Sequence, residues 1–320
     1  MAEENKNCQK SSCSCHGPAE ITRRSFLRTS SVVLAGVAAM AAALEPLRDL
    51  DNYTSLDKFF QKHYREMTKE EMAKVLKRIE KDVEKQYGVR PHVKDYKPMD
   101  GVEFVYALNL TRCIGCRKCV HACAQENNLS RSPEMQYIRV LKMPHGSLNP
   151  EEGEHNYNPD QVPEKGFFYM PVSCQQCRNS ACAKVCPVKA TWQESDGITV
   201  IDYDWCIGCR YCEAACPYFA RRFNFTKPEV PKERLNTNMS YLGNRPRMQG
   251  VMEKCHWCIQ RTRAGKFPAC HDVCPAGARK FGNILDPNSE VYYILRNKRV
   301  FVQLKEETGN NPRFYYYFDV

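Results

Sequence analysis

The chain has 320 residues, 42% of them hydrophobic, so a packed core is expected in one large domain or two small ones. Its formal charge of +10 raises nucleic acid as a partner, but no Lys/Arg run is long enough to form a phosphate-binding surface. Nineteen cysteines demand disulfides, metal or clusters.

The chain opens on a polar segment holding Cys8, Cys13, Cys15 and His16. Cys-x-Cys-His is rich in metal ligands, but the segment has no periodicity, so no role is assigned to it. Thr22-Arg23-Arg24-Ser25-Phe26-Leu27-Arg28 follows, then an Ala-rich apolar stretch from Val32 to Leu44. This order resembles a twin-arginine export signal. The stretch, about 13 residues, is short for a bilayer span and suits a signal h-region, with Ala41-Ala42-Ala43 offering a small-residue cleavage site. Residues 1–43 are therefore read as a Tat signal peptide, whether cleaved or retained. The twin-arginine route carries folded proteins, so the expected location is the periplasm or the outer face of the cytoplasmic membrane.

Residues 44–100 contain no cysteine and are read as a helical extension. Leu56, Phe59, Phe60, Tyr64 and Met67 recur at helical spacing. Thr68 and Glu71 form a capping-box pattern before a second helix, whose apolar face is Met72, Val75, Leu76, Ile79 and Val83. Gly88 and Pro91 end it.

From residue 101 to 320 the sequence is organised by cysteines. Group one is Cys113, Cys116, Cys119 and Cys123. Group two is Cys174, Cys177, Cys182 and Cys186, followed by Pro187. Group three is Cys206, Cys209, Cys212 and Cys216, followed by Pro217. Group four is Cys255, Cys258, Cys270 and Cys274, followed by Pro275. Groups one and three match the C-x2-C-x2-C-x3-C pattern of two-cluster ferredoxins, except that Ala124 stands where the proline would be. Groups two and four keep both ends and lengthen the middle. Three cysteines in such a loop wrap one face of an iron–sulfur cubane. The fourth is expected at the start of a helix, pointing away to another cluster. Zinc prefers widely separated Cys-x2-Cys knuckles, and cysteines two residues apart bridge poorly as disulfides. Four clusters, each about −2 with its thiolates, would add roughly −8 and offset the basic balance.

Shorter signals agree. Phe104 to Leu110 reads as a strand leading into group one. Thr191-Trp192, a turn at Ser195-Asp196-Gly197, and Ile198, Val200 and Asp202 read as a hairpin joining groups two and three. Gly115 and Gly208 are expected to let backbone N–H groups approach the sulfurs. His121, His256 and His271 lie within the groups, to tune potential or to hydrogen-bond nearby backbone. Trp205, Trp257 and Tyr211 are expected to pack around the clusters. No acid–base pair or nucleophile constellation stands out, so no catalytic residues and no substrate site are assigned.

Four groups in this order resemble the four-cluster iron–sulfur subunits of DMSO-reductase-type and polysulfide-reductase-type complexes, over roughly residues 101–320. Asp204-Trp205-Cys206-Ile207-Gly208-Cys209-Arg210-Tyr211-Cys212, Glu253-Lys254-Cys255-His256-Trp257-Cys258, Ala278-Arg279-Lys280-Phe281-Gly282-Asn283 and Asn311-Pro312-Arg313-Phe314-Tyr315-Tyr316 are similar to the iron–sulfur subunit of alternative complex III. The resemblance implies an α+β fold of two pseudo-twofold-related, bacterial-ferredoxin-like [4Fe–4S] domains with a helical N-terminal extension and long loops. Groups one and four would form one cluster pair, and groups two and three, in residues 170–222, the other. It also implies ligand sets: Cys113, Cys116 and Cys119 with Cys274; Cys255, Cys258 and Cys270 with Cys123; Cys174, Cys177 and Cys182 with Cys216; Cys206, Cys209 and Cys212 with Cys186. The cofactors would be four [4Fe–4S] clusters, with room for one [3Fe–4S]. The expected function is single-electron relay between a quinone-reactive integral membrane subunit and a multihaem cytochrome or molybdopterin subunit. The alternative is a stand-alone exported polyferredoxin shuttle. Val300 to Val320 is interrupted by charge, so no transmembrane helix is expected in the mature chain.

Overall fold

In a computed structural model of the protein, the structure describes residues 67–298 and 301–319. The twin-arginine segment, the apolar stretch, Cys8, Cys13, Cys15 and the first expected helix up to Tyr64 lie outside them. Helix α1 (Lys69–Tyr87) starts at the capping box: Thr68 Oγ1 accepts from the Glu71 N–H at 3.2 Å, and the Glu71 carboxylate accepts from the Thr68 N–H at 2.8 Å. Gly88 ends it with φ 68°, donating to the Glu84 carbonyl. Ile79 and Val83 are buried, and Met72, Val75 and Leu76 pack on the same core, so the expected apolar face is the one that docks. Strand β1 (His92–Lys94) follows.

The remainder is four cysteine groups joined by two-strand ladders. β2 (Phe104–Asn109) leads into group one, where α2 (Lys118–Glu126) carries Cys119 and Cys123. The antiparallel pair β3 (Arg139–Pro144) and β4 (Phe167–Val172) leads to group two and its one-turn helix α3 (Ala181–Lys184). β5 (Thr191–Gln193) and β6 (Thr199–Ile201) form the expected hairpin, with Gly197 at φ 83° in its turn. Group three has α4 (Tyr211–Ala214) and leaves through β7 (Arg221–Phe223). β8 (Asn238–Ser240) pairs in parallel with β1, and β9 (Met252–Lys254) returns antiparallel to β7 into group four. Group four contains α5 (Ile259–Thr262) and α6 (Ala269–Asp272), and leaves through β10 (Arg279–Asn283). Helix α7 (Glu290–Asn297), β11 (Phe301–Val302) and β12 (Phe314–Tyr317) complete the order.

β10 pairs antiparallel with β2, so the last ladder brings group four back to group one. β12 joins the other edge of β2 in parallel, and β11 follows it. β2 is buried along its whole length. Phe104, Tyr106 and Leu108 face the main core, while Val105 and Ala107 face Val291 and Ile294 of α7. A strand covered on both faces loses in–out alternation, which is why its sequence is a continuous apolar run.

One expectation is corrected. The fourth cysteine of each group does not open a helix. The one-turn helices α3, α4 and α6 hold the third cysteines, Cys182, Cys212 and Cys270, and the fourth lies two residues past the helix end. Pro187, Pro217 and Pro275 explain the stop, because the residue before a proline is driven out of the α region. Ala124 lifts that restriction in group one, and α2 runs on through Cys123 to Glu126.

The tail is tied down by Arg313, whose guanidinium donates to the Gln176 and Gly197 carbonyls and to Glu103 Oε1 at 2.8 Å. Arg178 reaches the same oxygen at 2.7 Å. Burial raises the Glu103 pKa, but the two guanidiniums outweigh it and hold the carboxyl below its ordinary value. A depressed carboxylate contributes stability above its unfolded pKa, about 4.3, and loses it as pH falls through the lower folded value. Glu103→Gln should therefore melt below wild type at neutral pH, with the gap closing only below about pH 4. A gap in thermal midpoint unchanged down to about pH 3 would contradict this.

Candidate iron–sulfur centres

All sixteen cysteines of the four groups are free thiols, which leaves the disulfide alternative without support at these positions. They ring cavities. Cys113, Cys116 and Cys119 line one together with Cys274, whose apolar walls include Leu108, Val140 and Pro171. Cys174, Cys177 and Cys182 line a second with Cys216. Cys206, Cys209 and Cys212 line a third with Cys186. Cys123 lies among Cys255, Cys258 and Cys270, each close enough to raise its pKa as a like charge. Asn127 Nδ2 spans this last group, 3.6 Å from Cys123 Sγ and 3.5 Å from Cys258 Sγ. Among the described residues no three His, Cys, Asp or Glu side chains converge tightly enough to hold a single ion. Thiols spaced around an apolar cavity suit a multinuclear cluster better than tetrahedral zinc.

Backbone conformation explains how the loops curl. The second residue after the first cysteine has positive φ in all four groups: Gly115 (76°), Gln176 (45°), Gly208 (69°) and Trp257 (51°). This turns the N–H back toward the sulfur. The Gly115 amide bonds Cys113, and the Trp257 N–H donates to Cys255 Sγ at 3.4 Å. Glycine is found at two of the four positions, so sequence reasoning missed Gln176 and Trp257. Only their place in the repeat could have revealed them. Glycine at 115 and 208 answers a further need. A Cβ on Gly115 would sit 2.4 Å from the Tyr169 ring, and one on Gly208 2.1 Å from the Gly250 carbonyl. Gly115→Ala should destabilise the loop by ~1–3 kcal/mol through overpacking and positive-φ strain. The check is reduced iron occupancy relative to wild type, restored by adding Tyr169→Ala to make room.

Burial pushes the thiols up: Cys113, Cys177 and Cys255 to about 12, and Cys212 to about 11. Metal loading must therefore displace protons from these sites, so it is favoured by rising pH. Two buried arginines face the sulfurs, and sequence reasoning missed both. Arg279 Nη2 donates to Cys119 Sγ at 3.4 Å, and Arg221 Nη2 to Cys182 Sγ at 3.0 Å. Burial opposes their charge, but neighbouring thiols outweigh it. The available signal was their register: each stands five residues after a fourth cysteine and opens a strand.

The histidines differ. His121 is exposed. His271 stacks on Phe267 with centroids 4.2 Å apart. His256 is buried, lies 3.4 Å through Nδ1 from the Tyr203 hydroxyl, and is held well below its ordinary pKa by desolvation, so it is neutral. Trp257 packs as expected, between Tyr106 and Phe281. Tyr211 does not: it is 62% exposed, because α4 turns Cys212 inward and its neighbour out.

The ladder-linked cysteine loops and their cavities define a ferredoxin-type iron–sulfur protein. Residues 112–190 match one 4Fe-4S dicluster domain family, and residues 166–247 and 243–284 match another of the same description. The chain is 43% identical over 213 residues to the iron-sulfur subunit of a putative dimethyl sulfoxide reductase of Halobacterium salinarum, covering 64% of this chain and 75% of that one. It is 33% identical over 310 residues to the B subunit of selenate reductase of Mesobacillus selenatarsenatis, covering 92% and 96%. It is 35% identical over 234 residues to the menaquinone reductase iron-sulfur cluster-binding subunit of Nitratidesulfovibrio vulgaris, covering 67% and 88%. The chain belongs to the family of iron–sulfur electron-transfer subunits of the DMSO reductase and polysulfide reductase type, and carries four [4Fe–4S] clusters.

Proposed function

We propose that the protein is an exported electron wire in which each ring of four cysteines holds one cluster. The ligand sets are Cys113, Cys116, Cys119 and Cys274; Cys123, Cys255, Cys258 and Cys270; Cys174, Cys177, Cys182 and Cys216; and Cys186, Cys206, Cys209 and Cys212. The clusters supply one-electron redox couples; the protein supplies spacing, insulation and potential. The observation that carries the reading is the continuity of the four rings. Cys119 of the first is within electrostatic reach of Cys270 of the second. Cys255 of the second is within reach of Cys174 of the third. Cys212 of the fourth is within reach of Cys182 of the third. The order is read as linear, with the rings of Cys113 and Cys209 at its ends and the groups paired in pseudo-twofold fashion.

Cys209 is the one exposed cysteine among the described residues; Ile207 and Tyr211, two residues to either side, and Phe225, under the Arg210 guanidinium, are each 62% exposed. This end is read as an electron port. The partners are read as a quinone-reactive integral membrane subunit and a molybdopterin subunit or multihaem cytochrome, in keeping with the reductase and menaquinone names of the relatives. No helix among the described residues is long and apolar enough to cross a membrane, so attachment would come through partners. Within the expected extension, α1 braces the cluster region through Ile79 and Val83. Arg23 and Arg24 direct Tat export to the periplasmic side.

Redox titration followed by EPR should resolve several interacting clusters in a protein that copurifies with membranes. Full cluster content with no membrane association would favour the free polyferredoxin shuttle. Stoichiometric zinc without iron would sink both. Arg23→Lys with Arg24→Lys should leave the loaded protein in the cytoplasm.

A further inference from the structure

Arg279 and Arg221 occupy equivalent places in the two cluster pairs. Each stands five residues after a fourth cysteine, Cys274 or Cys216, at the first position of β10 or β7. Each is almost fully buried, at 3% and 1% exposure. Arg279 reaches both rings of its pair: Nη2 donates to Cys119 Sγ, and Nη1 is 3.5 Å from the Tyr106 hydroxyl, itself 3.3 Å from Cys270 Sγ. Arg221 donates to Cys182 Sγ at 3.0 Å and feels the charge of Cys212 across the other pair. Its second anchor is Thr191 Oγ1 at 3.2 Å. No carboxylate is among the main electrostatic partners of either guanidinium, which are thiols and, for Arg279, Tyr106.

A buried cation without a carboxylate partner is costly unless something anionic compensates it. Here the compensating charge is the cysteine sulfur itself. Reduction by one electron adds negative charge at these sulfurs, and a guanidinium in a low-dielectric site stabilises that added charge more than the oxidised state. Asn127, a buried side-chain amide that donates to another ring, is neutral and lacks this term.

We propose that Arg279 and Arg221 are potential-setting residues, one per cluster pair, which raise the reduction potentials at the rings of Cys119 and Cys182 above those of their pair-mates. Arg279 acts directly on Cys119 and more weakly on Cys270 through Tyr106. Arg221 acts directly on Cys182. The proposal rests on the ligand sets given above. It makes the wire uneven in potential, with one favoured resting place for an electron in each half. The positive charge facing the sulfurs is also why these positions take arginine and not a neutral donor.

The test is an EPR-monitored redox titration of the loaded, full-length protein, with iron content measured in parallel. Arg279→Gln should lower the reduced-to-oxidised ratio of one spectral component at least tenfold at fixed poise, about 59 mV for a one-electron couple. Arg221→Gln should do the same to a different component. Arg279→Lys and Arg221→Lys keep the charge and should recover most of the shift, which a purely structural role would not produce. Tyr106→Phe should shift a third component by less. Midpoints unchanged in fully loaded Gln variants would overturn the proposal. So would equal iron loss in the Gln and Lys forms, which would make the arginines requirements of assembly. Wild-type protein without iron–sulfur signals would instead overturn the cluster assignment itself, so the two failures are distinguishable.

Discussion

Cys274→Ala is expected to disrupt the cluster of group one, although Cys274 is the last cysteine of group four. Its thiol shares a cavity with Cys113, Cys116 and Cys119, about 160 residues earlier in the chain. The reciprocal change, Cys123→Ala, should disrupt the ring of Cys255, Cys258 and Cys270. Each variant should lose about a quarter of the iron, or convert one cluster to a three-iron form with its own EPR signal. The decisive comparison is spectral identity. Cys274→Ala should alter the same component as Cys116→Ala, and Cys123→Ala the same component as Cys258→Ala. If Cys274→Ala instead matched Cys258→Ala, each group would hold its own cluster and the crossed ligand sets would be wrong.

Arg263→Ala should be the most damaging substitution outside the cysteines. Arg263 lies just past α5 in group four, with its side chain 1% exposed. It pairs through Nε with Asp196 at 2.8 Å, reaches Glu194, and donates to the Tyr96 carbonyl at 2.8 Å. Asp196 is wholly buried at the turn between β5 and β6, and its carbonyl accepts from the Phe104 N–H. One guanidinium thus ties the hairpin of groups two and three to group four and to the segment before β2. Removing it leaves a buried carboxylate unpaired, at about 3–5 kcal/mol. For a domain of this size the thermal midpoint should fall by at least about 6 °C, read as bleaching of cluster absorbance on heating. A fall below about 2 °C would show that water or another cation reaches Asp196. Asp196→Asn should be milder, because the amide leaves no uncompensated charge on the hairpin.

The same hairpin shows how far the sequence could be read. Ser195-Asp196-Gly197 announced a turn, and the turn is there, with Gly197 in the left-handed region. An aspartate in such a turn reads as solvated. Its burial depends on Arg263, which no local rule connects to it. The capping box at Thr68 and Glu71, the apolar face of α1 and the stop at Gly88 were legible for the opposite reason: each is decided within one or two helical turns. The expectation for the fourth cysteine was wrong by one element. Three intervening residues make a helical turn, but that turn encloses the third cysteine, and proline then stops it. The exposure of Tyr211 was illegible because an aromatic beside a cysteine looks the same whether α4 turns it in or out.

By itself the sequence determined the chemistry of this protein. Cysteine spacing sets which thiols share a loop, and those spacings exclude zinc knuckles and favour cubanes. What only the tertiary structure decided is which loops meet. The β10–β2 ladder returns Cys274 to group one, and β7–β9 sets group four beside group three. The buried guanidiniums of Arg279 and Arg221 find their sulfurs across the fold, and Arg263 finds Asp196. The division has one physical cause. Loop curvature, caps and helix stops are fixed by torsions of adjacent residues, whereas cavities and buried charge pairs exist only after distant strands have paired.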